Sequence, residues 1–211
     1  MLLKQLVAWC LVVPAIALAQ GDGSTRPLPK VGDVTVYAVN NRSDNKQSEE
    51  TVTVTSVEGG LIKTRHLRPD RNPPELEGVT TLELNPVVSG SSGSKFEPAI
   101  EIHRFPMKVG DSWKTRYEGT RLTGSRSRAE LDVKVAAQEK IVTPAGEFDT
   151  FRIELGGWIN GVNWQGAIRL AQTVWYAPAI GRLVKSDYKD YRNSSLFTSV
   201  LTEMKSHKPA P

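Results

Sequence analysis

The sequence predicts an all-β protein, an antiparallel curved sheet or barrel built from an internal duplication, and three observations carry that expectation. Apolar and polar residues alternate with a period of two in several segments, clear turn signals separate those segments, and no extended window after Gln20 follows the 3.6-residue period of a helix.

Leu131, Val133 and Val135 alternate with Asp132 and Lys134, and Phe151, Ile153 and Leu155 alternate with Thr150, Arg152 and Glu154. Such segments are apolar on one face and wet on the other, which favours antiparallel pairing over a parallel sheet buried on both sides. Between them, Thr143-Pro144-Ala145-Gly146 marks a hairpin turn, because Pro144 presets φ and Gly146 tolerates the reversal. Further strands are expected at residues 167–176, 181–188 and 196–204, punctuated by Ala177-Pro178 and Asn193-Ser194-Ser195. Residues 40–46, 68–74 and the Gly/Ser-rich 89–94 read as flexible loops, the last as a linker.

The duplication rests on two anchors. Lys30-Val31-Gly32-Asp33 returns as Lys108-Val109-Gly110-Asp111, each before a strand-like segment holding a tyrosine, Tyr37 or Tyr117. Pro98-Ala99-Ile100 returns as Pro178-Ala179-Ile180, each after an aromatic, Phe96 or Tyr176. The expected organisation is an all-β region over residues 20–204, in two degenerate repeats at about 28–104 and 105–204, then a tail at 205–211.

Residues 1–19 read as an export signal. Lys4 is the only charge before Asp22, the apolar run 6–18 is shorter than the roughly 20 residues that span a bilayer, and Ala17-Leu18-Ala19 is a peptidase site. Cleavage after Ala19 predicts a periplasmic protein that begins at Gln20 and has no thiol, since the single cysteine, Cys10, leaves with the signal. Trp9 argues against acylation at Cys10, because lipoprotein processing sites carry a small residue there. No later segment is apolar enough for a transmembrane helix. Net charge is +4 for the whole chain and +3 without Lys4, too mild and dispersed for a nucleic-acid partner.

The run Thr143-Pro144-Ala145-Gly146-Glu147-Phe148, then Trp175-Tyr176-Ala177-Pro178 and Gly181-Arg182-Leu183-Val184, resembles a group of uncharacterised bacterial exported β proteins. In that group a PAG-F hairpin precedes a WYAP-x-x-G-x-V corner. The resemblance covers residues 105–188 and implies a periplasmic, mostly antiparallel, curved or barrel-like sheet. It supplies no catalytic residues.

Chemical motifs are scarce. His66, His103 and His207 stand singly, with no metal-ligand spacing, and no serine lies in Gly-x-Ser-x-Gly or Ser-x-x-Lys. Ser91-Ser92-Gly93-Ser94-Lys95 lacks the pattern of a phosphate loop. No catalytic residue, metal site or cofactor is therefore assigned. Two groups suggest binding. Trp113, Trp158, Trp164 and Trp175, with Tyr176, are placed to line or rim a concave apolar face. Arg116, Arg121, Arg126 and Arg128 surround a polar hairpin loop and suit an anionic surface such as lipid headgroups. The order of readings is non-catalytic binding of an apolar or amphiphilic envelope ligand, then a scaffold for an envelope protein, then an enzyme.

Overall fold

The computed structural model describes residues 26–211; the predicted leader, with Cys10 and the cleavage point after Ala19, lies outside the described residues. Twelve antiparallel strands follow in order: β1 (Val34–Asn41), β2 (Lys46–Glu58), β3 (Leu61–Leu67), β4 (Glu75–Thr81), β5 (Pro86–Val88), β6 (Lys95–Glu97), β7 (Ser112–Thr120), β8 (Arg126–Thr143), β9 (Gly146–Gly161), β10 (Ala167–Ala177), β11 (Arg182–Arg192) and β12 (Ser195–Lys208). Each pairs with its neighbours in sequence and β12 returns to β1, so the sheet closes as an up-and-down barrel. The end where β1 begins is called the base, the other the rim.

Alternation decides which side faces in. On β8, Ala129, Leu131, Val133 and Val135 are buried while Arg128, Glu130, Asp132 and Lys134 are exposed. Ala129 and Leu131 cluster with Tyr117 of β7 and Leu170 of β10, while Val133 and Val135 pack with Phe151, Ile153 and Leu155 of β9 and Val174 and Tyr176 of β10. Ile153, Val135 and Val174 are 0% exposed, and each such burial stabilises the fold by about 1.5–3 kcal/mol. The segment 98–107, between β6 and β7, crosses the base and adds Ile102 and Met107 to this cluster. It fills the lower lumen with side chains.

A bulge between Val135 and Ala137 bends the long β8–β9 hairpin, as bulges do. Its tip reaches across the base, where Ala145 N donates to Met204 O of β12 at 3.1 Å. The two Lys-Val-Gly-Asp turns are built alike. Lys30 N donates to Asp33 Oδ2 at 2.8 Å and Lys108 N to Asp111 Oδ2 at 3.0 Å. Gly32 and Gly110 have φ of 93° and 98°, which glycine adopts without steric cost. Their amides donate to Val54 O and Val135 O, both at 2.9 Å. The second pair of anchors differs in place: Pro98-Ala99-Ile100 follows β6, whereas Pro178-Ala179-Ile180 joins β10 to β11.

Two expectations are corrected. Residues 205–208 are not tail but the end of β12, paired with β1 from Val34↔Lys208 onward, and His207 Nδ1 is hydrogen-bonded to Thr35 Oγ1 at 2.9 Å. Residues 89–94 are not a linker but the turn of the β5–β6 hairpin, closed by Ser89 N to Ser94 O at 2.8 Å. No helix among the described residues is long and apolar enough to cross a membrane.

Candidate functional site

The barrel has one weak seam. β5 and β6 contribute three residues each and share a single pair, Val88↔Lys95. β6 meets β7 only at Lys95↔Thr120, Phe96↔Gly119 and Glu97↔Glu118. Below Glu118, residues 112–117 of β7 pair with β8 on one side and with no strand on the other. The connecting segment runs past this edge, held by Glu101 N to Thr115 Oγ1 at 3.0 Å and by Trp113 Nε1 to Glu101 O at 2.7 Å. Two open grooves flank Pro98. One, of about 380 Å³, is walled by Glu97, Tyr117, Glu118 and Arg128; the other, of about 270 Å³, by Asn85, Ala99, Glu101 and Lys114.

The predicted arginine cluster borders the first groove as part of a ladder of alternating charge. Arg116 Nε meets Glu130 at 2.7 Å, while Arg126 and Arg128 share Glu118 at 2.8 and 2.9 Å. Lys114 joins Glu130 and Asp132 at 3.1 and 2.8 Å. Arg121 lies apart in the β7–β8 turn, its amide bonded to Ser125 O at 2.9 Å. Hydrogen bonds from Arg128 and Arg126 hold the Glu118 carboxyl below its ordinary value, and those from Arg116 and Lys114 do the same for Glu130. The outer wall here is charged on both sides of neutrality, unlike the apolar band of a lipid-facing barrel.

The seam hairpin is held from inside the barrel. His66 sits between Glu50 and Thr64, with Nδ1 2.8 Å from Glu50 Oε1 and Nε2 2.9 Å from Thr64 Oγ1. Its ring fills the space beside two glycines: a Cβ on Gly90 would lie 2.1 Å from it and one on Gly78 2.6 Å. Burial works to raise the Glu50 carboxyl, but the hydrogen bond and charge of His66 and the charges of Arg68 and Arg71 outweigh it and hold the group low. Arg71 also donates to Ser91 O in the hairpin turn. A hydroxyl, an imidazole and a carboxylate in series have the connectivity of an activated nucleophile. Here, however, the Thr64 hydroxyl donates to Gly78 O at 3.2 Å and the ring is wedged against Gly90, so the series works as a clamp. In the sequence His66 stands as a lone histidine; the available signal is Thr64-x-His66, which puts both on one strand face. Glu50 enters only through the β2–β3 register, Val52↔His66.

The predicted aromatic set does not converge. Tyr176 is in the core and Trp113 packs against it from the base end of β7. Trp158 is 54% exposed on the outer face of β9. Trp175 is partly buried against Ala177, Val184 and Met204, its Nε1 bonded to Glu139 Oε1 at 2.7 Å. Trp164 folds back over Gly161 in the β9–β10 turn. Adjacent strand residues point to opposite faces, which separates Trp175 from Tyr176. No group of three or more His, Cys, Asp or Glu among the described residues could hold a metal ion.

No protein-family model matches the chain, and no curated protein does. Solved structures do. An uncharacterised exported protein with a YmcC-like fold from Bacteroides fragilis superposes with a TM-score of 0.57 at 14% identity, over 88% of this chain and 99% of that one. The chain shares that fold. An uncharacterised lipoprotein from Parabacteroides distasonis gives 0.56 at 14% identity over 88% and 99%. The hypothetical lipoprotein YmcC from Escherichia coli gives 0.50 at 11% identity over 84% and 85%. At these identities the likeness is one of fold, and it agrees with the closed antiparallel barrel described above.

Proposed function

We propose that this YmcC-like barrel is a non-catalytic protein of the cell envelope whose seam receives an extended segment of a partner protein by strand addition. The observation that carries the reading is the half-free edge of β7, residues 112–117. A closed barrel normally abolishes free edges, because unpaired N–H and C=O groups recruit other chains. In strand addition those main-chain groups supply affinity, and hollows beside the edge select alternate side chains. The two grooves astride Pro98 supply such hollows. Glu97, Glu101 and Glu118 stand there with Lys114 and Arg116, so the fitting segment is polar and carries both signs of charge. Export is supported by the leader-like start of the sequence and by exported and lipoprotein neighbours in fold.

The test is photo-crosslinking in cells from an unnatural residue at Arg116, beside the seam, and at Lys205 on β12, away from it. A discrete protein adduct from Arg116 and none from Lys205 is expected. Equal adducts from both positions, or none from either, overturn the seam as a docking edge.

A further inference from the structure

The turns at the rim differ in charge from those at the base. Four that follow one another around the barrel, residues 89–95, 120–126, 161–167 and 191–197, carry Lys95, Arg121, Arg126 and Arg192 and not one carboxylate. The base turns β2–β3 and β4–β5 instead present exposed Glu58 and Glu83. Three of the four rim turns also hold apolar tips: Leu122, Val162, Leu196 and Phe197 are 66, 39, 54 and 55% exposed.

Apolar residues exposed singly need no explanation, but these turns are joined. Leu122 lies against the β5–β6 turn, where a Cβ on Gly93 would come within 2.8 Å of its side chain. Asn163 ties the next two turns together: its Oδ1 accepts from Arg126 N at 2.7 Å and its Nδ2 donates to Gly124 O at 3.0 Å. Arg169 then lies over the Tyr191 ring at 5.4 Å, and Arg192 over Phe197 at 3.5 Å. The rim is one connected platform on which cations stand beside apolar tips. The barrel wall cancels only part of the charge. Arg192 faces Asp190 at 3.8 Å and Arg126 meets Glu118, but Arg128 shares that carboxylate, so a net cation remains there, and Lys95 and Arg121 stand exposed.

Such a platform matches a phospholipid surface, where apolar side chains enter the headgroup boundary and Lys and Arg are drawn to anionic lipid. A protein partner calls for a continuous apolar centre. Here the tips come one or two to a turn, flanked by Thr123, Asn163 and Ser195, which suits a fluid surface that closes around each. We propose that the rim docks on a bilayer containing anionic phospholipid, with Leu122, Val162, Leu196 and Phe197 entering the headgroup layer and Lys95 and Arg121 meeting phosphates. The barrel stands end-on, its charged wall in water, and the β7 edge on that wall stays open to a partner.

Sedimentation of the mature protein with phosphatidylcholine vesicles, with and without phosphatidylglycerol, tests this. Binding is expected only to the vesicles containing phosphatidylglycerol, with release as salt is raised. Lys95→Gln with Arg121→Gln should weaken it about fivefold per cation removed, and Leu122→Ser with Phe197→Ser at least about tenfold. All four side chains are exposed, so these variants keep the parent's thermal midpoint. Val31→Ser with Val109→Ser, exposed apolar positions at the base, leaves binding unchanged. No binding to the anionic vesicles, equal binding to both kinds, binding that survives either rim pair, or an equal loss in the base pair overturns the proposal. So does a photo-crosslinker at Leu122 that captures a protein in cells while the purified chain ignores vesicles, which assigns the rim to a protein partner.

Discussion

Arg182 and Asp33, 149 residues apart, form a buried ion pair that ties the first Lys-Val-Gly-Asp turn to the corner after β10. Asp33 also accepts from Lys30 N at 2.8 Å and Ala210 N at 2.7 Å. One carboxylate thus gathers the chain before β1, the start of β11 and the chain after β12. Gly181 beside it has φ of 63° and no room for a Cβ, which would lie 2.1 Å from Pro27 O. Breaking a buried pair by removing one partner leaves an uncompensated charge, so Arg182→Met is expected to cost about 3 kcal/mol in chemical denaturation. Adding Asp33→Asn to Arg182→Met should recover part of that loss. A double variant as unstable as the sum of the singles would show that the two residues act separately.

Ile153 packs inside the barrel among Val133, Val135, Val174 and Tyr176. Truncation there removes transfer energy and opens a cavity that the bent β8–β9 hairpin and segment 98–107 can only partly collapse. Ile153→Ala is expected to lose about 3–4 kcal/mol, and Ile153→Val about 1 kcal/mol. Equilibrium unfolding in urea measures both. Losses below 1 kcal/mol for the alanine variant would mean that the base is not packed as described.

Strands whose burial alternates over many residues were legible in the sequence. Leu131 to Val135 and Phe151 to Leu155 display the inward face directly, and the Thr143 to Gly146 turn sits where the residues require. The closing strands were legible only in part, because β12 continues to Lys208 through polar residues whose pairing with β1 is a long-range fact. β5 and β6 are too short for any period to register. The candidate seam follows from their shortness, so it too was hidden. Arginines 116, 126 and 128 were visible, but their neutralisation by Glu118 and Glu130 depends on the β7–β8 register.

Glu50 makes stability depend on pH at the acid end. Its folded pKa is held below the ordinary 4.5, chiefly by His66 against the opposing effect of burial. A depressed carboxylate contributes stability that is fully present above its unfolded pKa and is lost as pH falls through the folded value. The thermal midpoint is therefore expected to fall as pH drops below about 4.5. Glu50→Gln should lower the midpoint at pH 7 and flatten this acid limb. An acid limb as steep in the variant as in the parent would assign the dependence to other groups, Asp33 first among them, since its carboxyl is also held low.

Gly90 and His66 couple the inner clamp to the outer seam. Gly90 has an ordinary negative-φ backbone and is not among the left-handed glycines, so an alanine there is opposed by space alone. The ring it meets cannot swing aside freely, since Thr64 and Glu50 hold both nitrogens. Gly90→Ala must then either break those bonds or lift the 89–94 turn, at a cost of roughly 1–3 kcal/mol. Hydrogen exchange is expected to accelerate at the backbone amides of Val88 and Lys95, which share the single β5–β6 pair, while β8 and β9 stay protected. In a His66→Ala background Gly90→Ala should add no further acceleration at the seam, because the group the new methyl strikes is gone. Exchange faster in the double variant than in His66→Ala alone would place the defect in the turn itself and separate the seam from the Glu50–His66–Thr64 clamp.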